Sequence, residues 1–247
     1  MKIIASDYDG TLNYGGIGDD KRNAISLWRE NGNKFGLVSG RGLKNLIIIP
    51  IEDNFECDFL IASNGAVVAL SDGTVLSESR CDGRIAKPLI DFLFESGCRR
   101  ANVETAYDRV VVCVDPKHPD CDCVYENMPE FPYFTQISTV ADDDESARVL
   151  TDAIRGKFGE YLNPLQNGDC IDIVARDVNK AKGLYKYLEL VDAKYDDMIT
   201  VGDNINDTHM IKEFRSYAMK NAVDSIKAIA DYETEGITEL IEKELSE

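Results

Sequence analysis

The stretch KIIASDYDGTLNYGG, residues 2–16, raises the main question about this sequence. The residues from Lys2 to Ser6 have the apolar character of a buried strand, and two aspartates, Asp7 and Asp9, follow directly. Carboxylates this close repel one another, and each costs free energy to remove from water. Some other group must therefore offset the charge at the end of this strand, and that group points to the function.

The composition limits the classes to which the protein can belong. Its 247 residues suffice for one large α/β domain or a core with an inserted domain, and an apolar fraction of 44% supports a full hydrophobic core. The formal net charge of −18 disfavours nucleic acid and an anionic membrane as partners. No apolar run approaches the ~20 residues of a membrane span, and the N-terminus lacks a signal-peptide core, so we expect a cytoplasmic protein.

Seven cysteines, an odd number in a long chain, argue against a secreted disulfide scaffold. Cys121 and Cys123 lie beside His118 in the sequence HPDCDC, which raises the alternative of a metal site. The Cys-x-Cys spacing differs from that of common zinc sites, and no second pair accompanies it. We therefore expect ordinary thiols in a loop.

The order of the predicted elements indicates an α/β fold, namely a Rossmann-like core with a mostly parallel sheet and helices on both faces. Strands and helices alternate at both ends of the chain. The segment between them predicts helix, two strands, helix and strand, which is typical of a small α+β unit with an antiparallel sheet. We predict a core formed by residues 1–80 and 177–247 and an inserted α+β cap domain formed by residues 81–176.

Local signals predict the bounds of several elements. Asp19 or Asp20 is expected to cap the first helix, whose apolar positions include Leu27. The apolar segment 43–50 is expected to form a helix because it lies between two strands. The segment 115–134 is rich in Pro, Asp and Cys and is expected to be a loop.

Polar and charged residues follow the ends of several predicted strands. Ligands of an open α/β sheet bind at the carboxyl ends of the strands, so these residues belong to one crevice. Strand ends and helix starts carry Asp7, Asp9, Ser39, Gly40, Lys180, Asp203, Asn206 and Asp207. Mg²⁺ prefers oxygen ligands and commonly bridges carboxylates to a substrate phosphate. A cation shared among Asp7, Asp9 and Asp203 would offset the charge at the end of the first strand.

The same residues support phosphoryl-transfer chemistry. One of the paired carboxylates can attack phosphorus and form an aspartyl-phosphate, and the other can protonate the leaving alkoxide and then deprotonate the attacking water. Lys180 and the hydroxyl of Ser39 would neutralise and orient the phosphoryl oxygens. Each motif alone is common in solvated turns or on helix surfaces. Their compatible order along one sheet favours a shared site.

Four ordered motifs resemble those of the haloacid dehalogenase-like hydrolases, namely DYDGTL at 7–12, VSGR at 38–41, NKAKGL at 179–184 and GDNINDTHM at 202–210. The form GDNxND, together with SNGA at 63–66, resembles the Cof-type subclass (subclass IIB), whose larger cap is inserted between the second and third motifs. The resemblance implies a Mg²⁺-dependent phosphatase that acts on a small phosphorylated metabolite, such as a sugar phosphate, through an aspartyl-phosphate.

The resemblance also implies a role for each site residue. Asp7 would be the nucleophile and Asp9 the general acid and base. Mg²⁺ would be held by the side chains of Asp7 and Asp203 and by the backbone carbonyl of Asp9, with Asp207 supporting these ligands. The phosphoryl group would be held by Ser39, Gly40, Lys180, Asn206 and the amide of Tyr8.

Two positions depart from the family's pattern. Ser39 stands where Thr is frequent, and the hydroxyl group is retained. The lysine of the third motif is often followed by Gly, whereas Lys180 is followed by Ala181 and Lys182 by Gly183. Lys180 is preferred because its spacing to the next leucine matches the family, and Lys182 stays the alternative.

Other functions stay open on the sequence alone. A phosphomutase or phosphotransferase would use the same scaffold and transfer the phosphoryl group to a sugar hydroxyl instead of water. A phospho-accepting signalling domain also has an acidic pocket, but the position of Asp7 on the first strand and the long insertion argue against it. A binding protein without catalysis would not need intact motifs. The oligomeric state and the particular metabolite stay open.

Overall fold

The structure is a computed structural model that describes residues 1–246. Its strands, numbered in chain order, are β1 Ile3–Asp7, β2 Lys34–Val38, β3 Phe59–Ala62, β4 Val67–Leu70, β5 Val75–Glu78, β6 Cys81–Asp82, β7 Arg100–Glu104, β8 Arg109–Cys113, β9 Cys123–Val124, β10 Tyr133–Phe134, β11 Gln136–Val140, β12 Leu162–Asn167, β13 Cys170–Ala175, β14 Met198–Gly202, β15 Arg215–Met219 and β16 Tyr232–Thr234.

The α-helices are α1 Asp19–Glu30, α2 Leu43–Leu46, α3 Ile49–Glu52, α4 Ala86–Glu95, α5 Asp144–Phe158, α6 Lys180–Leu190, α7 Thr208–Glu213, α8 Asp224–Lys227 and α9 Ile237–Ser246. Within residues 1–246, none of them combines the length and the apolar character that a membrane crossing requires.

The chain divides into two compact units. The core unit consists of Met1–Ser77 and the segment from Asn179 onward, and the inserted unit is Glu78–Val178. The core unit contains an eight-stranded sheet in the order β16-β15-β14-β1-β2-β3-β4-β5. Strands from β16 to β3 pair in parallel, and β4 pairs antiparallel to β3. Strand β1 is buried over its whole length, as expected of a parallel strand covered on both faces.

Helix α1 differs from its prediction in two details. The prediction that Asp19 or Asp20 caps the helix is wrong, because Gly18 occupies the capping position and both acids lie in the first turn. Their charge still interacts favourably with the helix dipole there. Leu27 is exposed, because the buried face of the helix is formed by Ala24, Ile25 and Trp28.

The segment predicted as one helix over 43–50 forms two short helices, α2 and α3. Pro50 lies in the first turn of α3. Proline lacks an amide donor and is tolerated in the first turn of a helix but not in its interior. A new helix therefore begins just before Pro50.

The inserted unit contains a six-stranded sheet in the order β12-β13-β11-β7-β8-β9, in which β8 and β9 alone pair in parallel. Helices α4 and α5 pack on this sheet. Strands β11 and β12 were not predicted, since QISTV and LNPLQN are largely polar, and Pro164 in β12 is tolerated because this strand is at the sheet edge. The predicted loop 115–134 contains the short strands β9 and β10.

Candidate active site

The ends of two neighbouring strands bring the first two aspartates together. Strands β1 and β14 pair in parallel, with Ser6 opposite Val201. Asp7 is the last residue of β1, and Asp203 follows the last residue of β14. Parallel strands end at the same edge of a sheet, so both carboxylates lie at the carboxyl edge of the core sheet.

Three carboxylates form a compact cluster at this edge. One carboxylate oxygen from each of Asp7, Asp203 and Asp207 lies within 4.8 Å of the others. The ammonium group of Lys180, which is fully buried, donates to Asp7 Oδ1 and to Asp207 Oδ1, both at 2.6 Å. Lys180 is the first residue of α6, so the start of this helix supplies the cation of the cluster.

Asp207 has both carboxylate oxygens occupied. Oδ1 accepts from Lys180, and Oδ2 accepts from the backbone amides of Asp203 at 3.0 Å and Asn204 at 3.1 Å. These three bonds fix the orientation of the carboxylate. Its position therefore suits the support of the loop that carries Asp203.

Asp7 and Asp203 each keep one oxygen available. Asp7 Oδ1 is bonded to Lys180, and Asp203 Oδ1 accepts from the hydroxyl of Thr11 at 2.6 Å. Within residues 1–246, the second oxygen of each carboxylate has no hydrogen-bond donor. Two nearby carboxylate oxygens without protein donors fit the ligand preference of a hard divalent cation.

Burial and charge shift the pKa values of the cluster. Burial raises the pKa of Asp7 well above its ordinary value, although Lys180 opposes the shift and Asp207 adds to it. Burial also raises the pKa of Asp203, against the hydrogen bond from Thr11. For Lys180, burial acts to lower the pKa, but the carboxylates of Asp207 and Asp7 raise it by more, so the ammonium stays charged. Three carboxyl groups thus share one buried ammonium.

Gly10 allows the turn after β1 to approach the cluster. Its φ of 83° lies in the left-handed region, and a Cβ at this position would collide with the carboxylate of Asp203. The side chain of Asn221 donates to the carbonyl of Gly10 at 2.9 Å. Glycine is therefore required here by both conformation and space.

Asp9 lies outside the cluster. Its two oxygens accept from Arg41 Nε and Nη2, each at 2.7 Å, and both side chains are about half exposed. The guanidinium also lies over the ring of Tyr8, whose hydroxyl donates to Asp53 at 3.0 Å. The structure thus places the carboxylates of Asp7 and Asp9 in different surroundings, one buried and one ion-paired at the surface.

Ser39, at the end of β2, is buried and contributes a hydroxyl group. Its Oγ accepts from the backbone amide of Arg41 at 3.1 Å, which leaves the hydroxyl proton available for another acceptor. Gly40 follows it and is partly exposed. Asn206 is also partly exposed, and its side chain has no hydrogen-bond partner within residues 1–246.

The two candidate lysines differ in position. Lys180 is buried in the cluster, whereas Lys182 is exposed, with its ammonium 5.9 Å from the centre of the Tyr185 ring. The start of α6 is held close to the turn after β3 by Gly65, because a Cβ there would collide with the carbonyl of Asn179. This close contact places the first turn of α6, and with it Lys180, beside the cluster.

Sequence reasoning did not single out three residues that contact the site, namely Thr11, Arg41 and Asn221. Thr11 and Arg41 lie within the motifs DYDGTL and VSGR, so the motifs were the available signal. The alternative of a metal site at Cys121 and Cys123 receives no support. Within residues 1–246, the aspartate cluster is the one group of three metal-binding side chains whose ligand atoms lie within 4.8 Å of one another.

The fold and the site define a class of protein, an α/β enzyme with an aspartate cluster and a lysine at the carboxyl edge of a parallel sheet. Residues 4–239 match the model of the haloacid dehalogenase-like hydrolases, and the chain belongs to this family.

Similar proteins with known descriptions agree with this assignment. The chain is 27% identical to 5-amino-6-(5-phospho-D-ribitylamino)uracil phosphatase YcsE of Bacillus subtilis, over 95% of this chain and 90% of that protein. It is 24% identical to YbjI of Escherichia coli, a phosphatase with the same named substrate, over 99% of this chain and 96% of that protein.

Solved structures share the fold. A HAD/COF-like hydrolase from Plasmodium vivax has a TM-score of 0.86 and 19% identity, over 100% of this chain and 96% of that one. The HAD subclass IIB sugar phosphatase BT4131 has a TM-score of 0.80 and 18% identity, over 98% of each chain. These comparisons confirm the predicted family and the α/β fold of the Cof type, and the chain is a phosphoric monoester hydrolase.

Proposed function

We propose that the protein is a Mg²⁺-dependent phosphatase that hydrolyses a small phosphorylated metabolite through an aspartyl-phosphate on Asp7. The proposal rests on the cluster of Asp7, Asp203 and Asp207. In this cluster, the ammonium of Lys180 donates to the carboxylates of Asp7 and Asp207. The cluster combines a carboxylate that can attack phosphorus with a buried cation that can neutralise phosphoryl oxygens.

The metal ligands in this proposal are the side chains of Asp7 and Asp203, each of which has an oxygen without a protein donor. The family resemblance adds the backbone carbonyl of Asp9. When bound, Mg²⁺ would offset the excess negative charge of the cluster and polarise the phosphoryl group. Asp207 would keep Lys180 and the loop after β14 in place through the bonds that occupy both its oxygens.

In the first step, a carboxylate oxygen of Asp7 forms a bond to phosphorus, and the bond between phosphorus and the alkoxide oxygen breaks. Lys180 reduces the repulsion between the two anions. The hydroxyl of Ser39 has a proton to donate to a phosphoryl oxygen. Asn206 and the amides of Gly40 and Tyr8 complete the proposed phosphate-binding set.

Asp9 serves both proton transfers. It gives a proton to the departing alkoxide, and it then takes one from the water that attacks phosphorus. The bond between Asp7 and phosphorus breaks in this second step, which releases inorganic phosphate and restores the carboxylate. The half-exposed position of Asp9 allows it to exchange protons with solvent.

The relatives favour a phosphorylated polyol or sugar as the substrate. YcsE and YbjI are phosphatases of a ribitylamino-uracil phosphate, and BT4131 is a sugar phosphatase. We therefore propose a phosphomonoester of a polyhydroxylated chain or ring. The division into a core, 1–80 and 177–247, and a selectivity-setting cap, 81–176, stays a prediction, as does the cytoplasmic location.

Replacement of the nucleophile tests the proposal. Asp7→Asn should reduce turnover of sugar phosphates by about 10⁴-fold or more, because an amide of nearly the same shape is a poor nucleophile. Phosphate release should be measured with Mg²⁺ and with EDTA, and acid-quenched wild-type enzyme should carry a labelled phosphoryl group.

The matched control is Asp19→Asn, which makes the same change at an exposed position of α1 and should leave turnover unchanged. Activity of Asp7→Asn near the wild-type level would contradict the nucleophile assignment. Full activity in EDTA would contradict the need for a metal.

A further inference from the structure

The Arg41 side chain occupies both oxygens of the Asp9 carboxylate. Nε donates to Oδ2 and Nη2 donates to Oδ1, both at 2.7 Å. A forked pair of this kind fixes the orientation of a carboxylate as well as its charge. The pair therefore gives Asp9 one defined position, although its side chain is half exposed.

Other contacts hold Arg41 independently of the carboxylate that it binds. Its amide donates to Ser39 Oγ at 3.1 Å, and its carbonyl accepts from the amide of Ser63 at 2.9 Å. The guanidinium lies 5.1 Å from the centre of the Tyr8 ring, a distance typical of cation–π contacts. The Tyr8 hydroxyl is in turn bonded to Asp53. The Arg41 backbone and one face of its guanidinium are thus held by groups other than the Asp9 carboxylate.

The pair can also separate at low cost. Ion pairs between exposed side chains are weak, because water competes for both partners. Each Asp9 oxygen accepts one of these bonds and keeps a second lone pair, so the paired carboxylate can still exchange a proton with a leaving group or with water.

We propose that Arg41 is a positioning residue for proton transfer, which holds the Asp9 carboxylate in one orientation beside the cluster. This inference rests on the proposed function of Asp9 as the general acid and base. Two of the five guanidinium donors bond Asp9, and one face of the guanidinium is covered by Tyr8, which favours action through Asp9 over direct contact with the substrate.

A double-mutant cycle separates action through Asp9 from direct contact with substrate. The variants are Arg41→Met, Asp9→Asn and the two combined, assayed with Mg²⁺ on an alkyl phosphate and on an aryl phosphate. Arg41→Met should lower kcat for the alkyl ester by about tenfold with KM changed by less than about threefold. The loss should be smaller for the aryl ester, whose leaving group needs less protonation.

The combined variant gives the decisive comparison. If Arg41 acts through Asp9, adding Arg41→Met to Asp9→Asn should change kcat by less than about twofold. Additive losses, or a loss that is mainly in KM, would overturn the inference and assign Arg41 to the substrate. Equal losses of kcat for the aryl and alkyl esters in Arg41→Met would also overturn it.

The control is Arg148→Met, which removes a forked pair with Glu145 on α5 and should leave kcat for both esters unchanged. If Arg41→Met does not fold, Arg41→Lys keeps the charge but not the fork, and it should show the same selective loss for the alkyl ester. Failure of the proposed function has a different signature, because Asp9→Asn alone would then retain full activity on the alkyl ester.

Discussion

Two buried acidic regions, one in each unit, compensate the free-energy cost of burying a carboxylate in different ways. In the core unit, Asp7 and Asp207 share the ammonium of Lys180. In the inserted unit, Glu104 at the end of β7 is also buried, but it accepts its hydrogen bond from the neutral amide of Gln136, at 3.3 Å. Burial raises the pKa of Glu104 to about 7.

The two regions differ in the groups that oppose the effect of burial on the pKa. At Glu104, burial is the largest cause of the upward shift, Asp172 adds to it, and Arg109 and the hydrogen bond from Gln136 oppose it. A buried carboxyl without a bonded cation lowers its cost by taking up a proton. In the core cluster, burial also raises the pKa of Asp7, but the bonded ammonium of Lys180 opposes this shift and so favours the charged form that a metal ion and nucleophilic attack require.

Removing the cation of the core cluster should have the largest effect. Lys180→Met leaves Asp7 and Asp207 buried without their partner, which should cost about 3–5 kcal/mol in the free energy of unfolding. Turnover should fall by about 10²–10³-fold or more, because a fixed positive charge at the phosphoryl site is lost. Urea unfolding and phosphate release measure the two effects.

Lys182→Met is the matched control, since it removes a lysine from the exposed side of the same helix. It should change the free energy of unfolding by less than about 0.5 kcal/mol. Loss of activity in Lys182→Met, with activity retained in Lys180→Met, would assign the phosphate-binding role to Lys182 and reverse the comparison between the two lysines.

Glu104→Gln should have the next largest effect, and its sign depends on pH. The folded-state pKa of Glu104 is about 7, above the ordinary value of 4.5. The protonated form therefore stabilises the fold, fully below pH 4.5, and this contribution is lost as the pH rises through 7. Glutamine cannot ionise, so at pH 8 the variant should be more stable than the wild type by about 1–3 kcal/mol.

The measurement is urea unfolding of both proteins at pH 5 and pH 8. Near-equal stabilities are expected at pH 5, where Glu104 is protonated in the folded state. A variant that is less stable than the wild type at pH 8 would show that Glu104 is charged in the folded state and that other groups compensate its charge.

Loss of one neutral donor should have the smallest effect. The hydroxyl of Thr11, which is buried, donates to Asp203 at 2.6 Å. Thr11→Val keeps the shape and removes this bond, which should cost about 1 kcal/mol in the free energy of unfolding. It should also weaken Mg²⁺ binding, measured by calorimetry, because Asp203 loses its fixed orientation.

Thr139→Val in the inserted unit is the matched control. Its buried hydroxyl donates to a neutral acceptor, the carbonyl of Arg100, at 2.7 Å. A similar loss of stability is expected with no change in Mg²⁺ affinity. Equal effects of the two variants on Mg²⁺ binding would contradict the role of Asp203 as a ligand.

The parts of the fold that could be predicted are those whose apolar pattern is set by burial on both faces. Strands β1 and β14 are nearly continuous apolar runs, and both were predicted. Strands β11 and β12 were not, because their polar residues and Pro164 are accommodated by neighbouring strands and by an edge position, which are tertiary properties.

The candidate site could be predicted as far as backbone position determines it. Strand ends placed Asp7 and Asp203 at one edge, and the start of α6 placed Lys180 near them. The pairing of Arg41 with Asp9 could not be predicted, because it depends on side-chain rotamers. The catalytic and metal-binding roles of these residues stay predictions that the experiments above address.

Asp7 and Lys180 are separated by 173 positions in the sequence, which has a consequence for biosynthesis. The ribosome completes the whole inserted unit, Glu78–Val178, before it adds Lys180, whose ammonium pairs with the Asp7 carboxylate at the end of β1. Strand β14, the parallel neighbour with which β1 pairs, is synthesised later still. The inserted unit is one continuous segment, whereas the core unit joins two segments, so we expect the inserted unit to fold first on the nascent chain and the core sheet to close late.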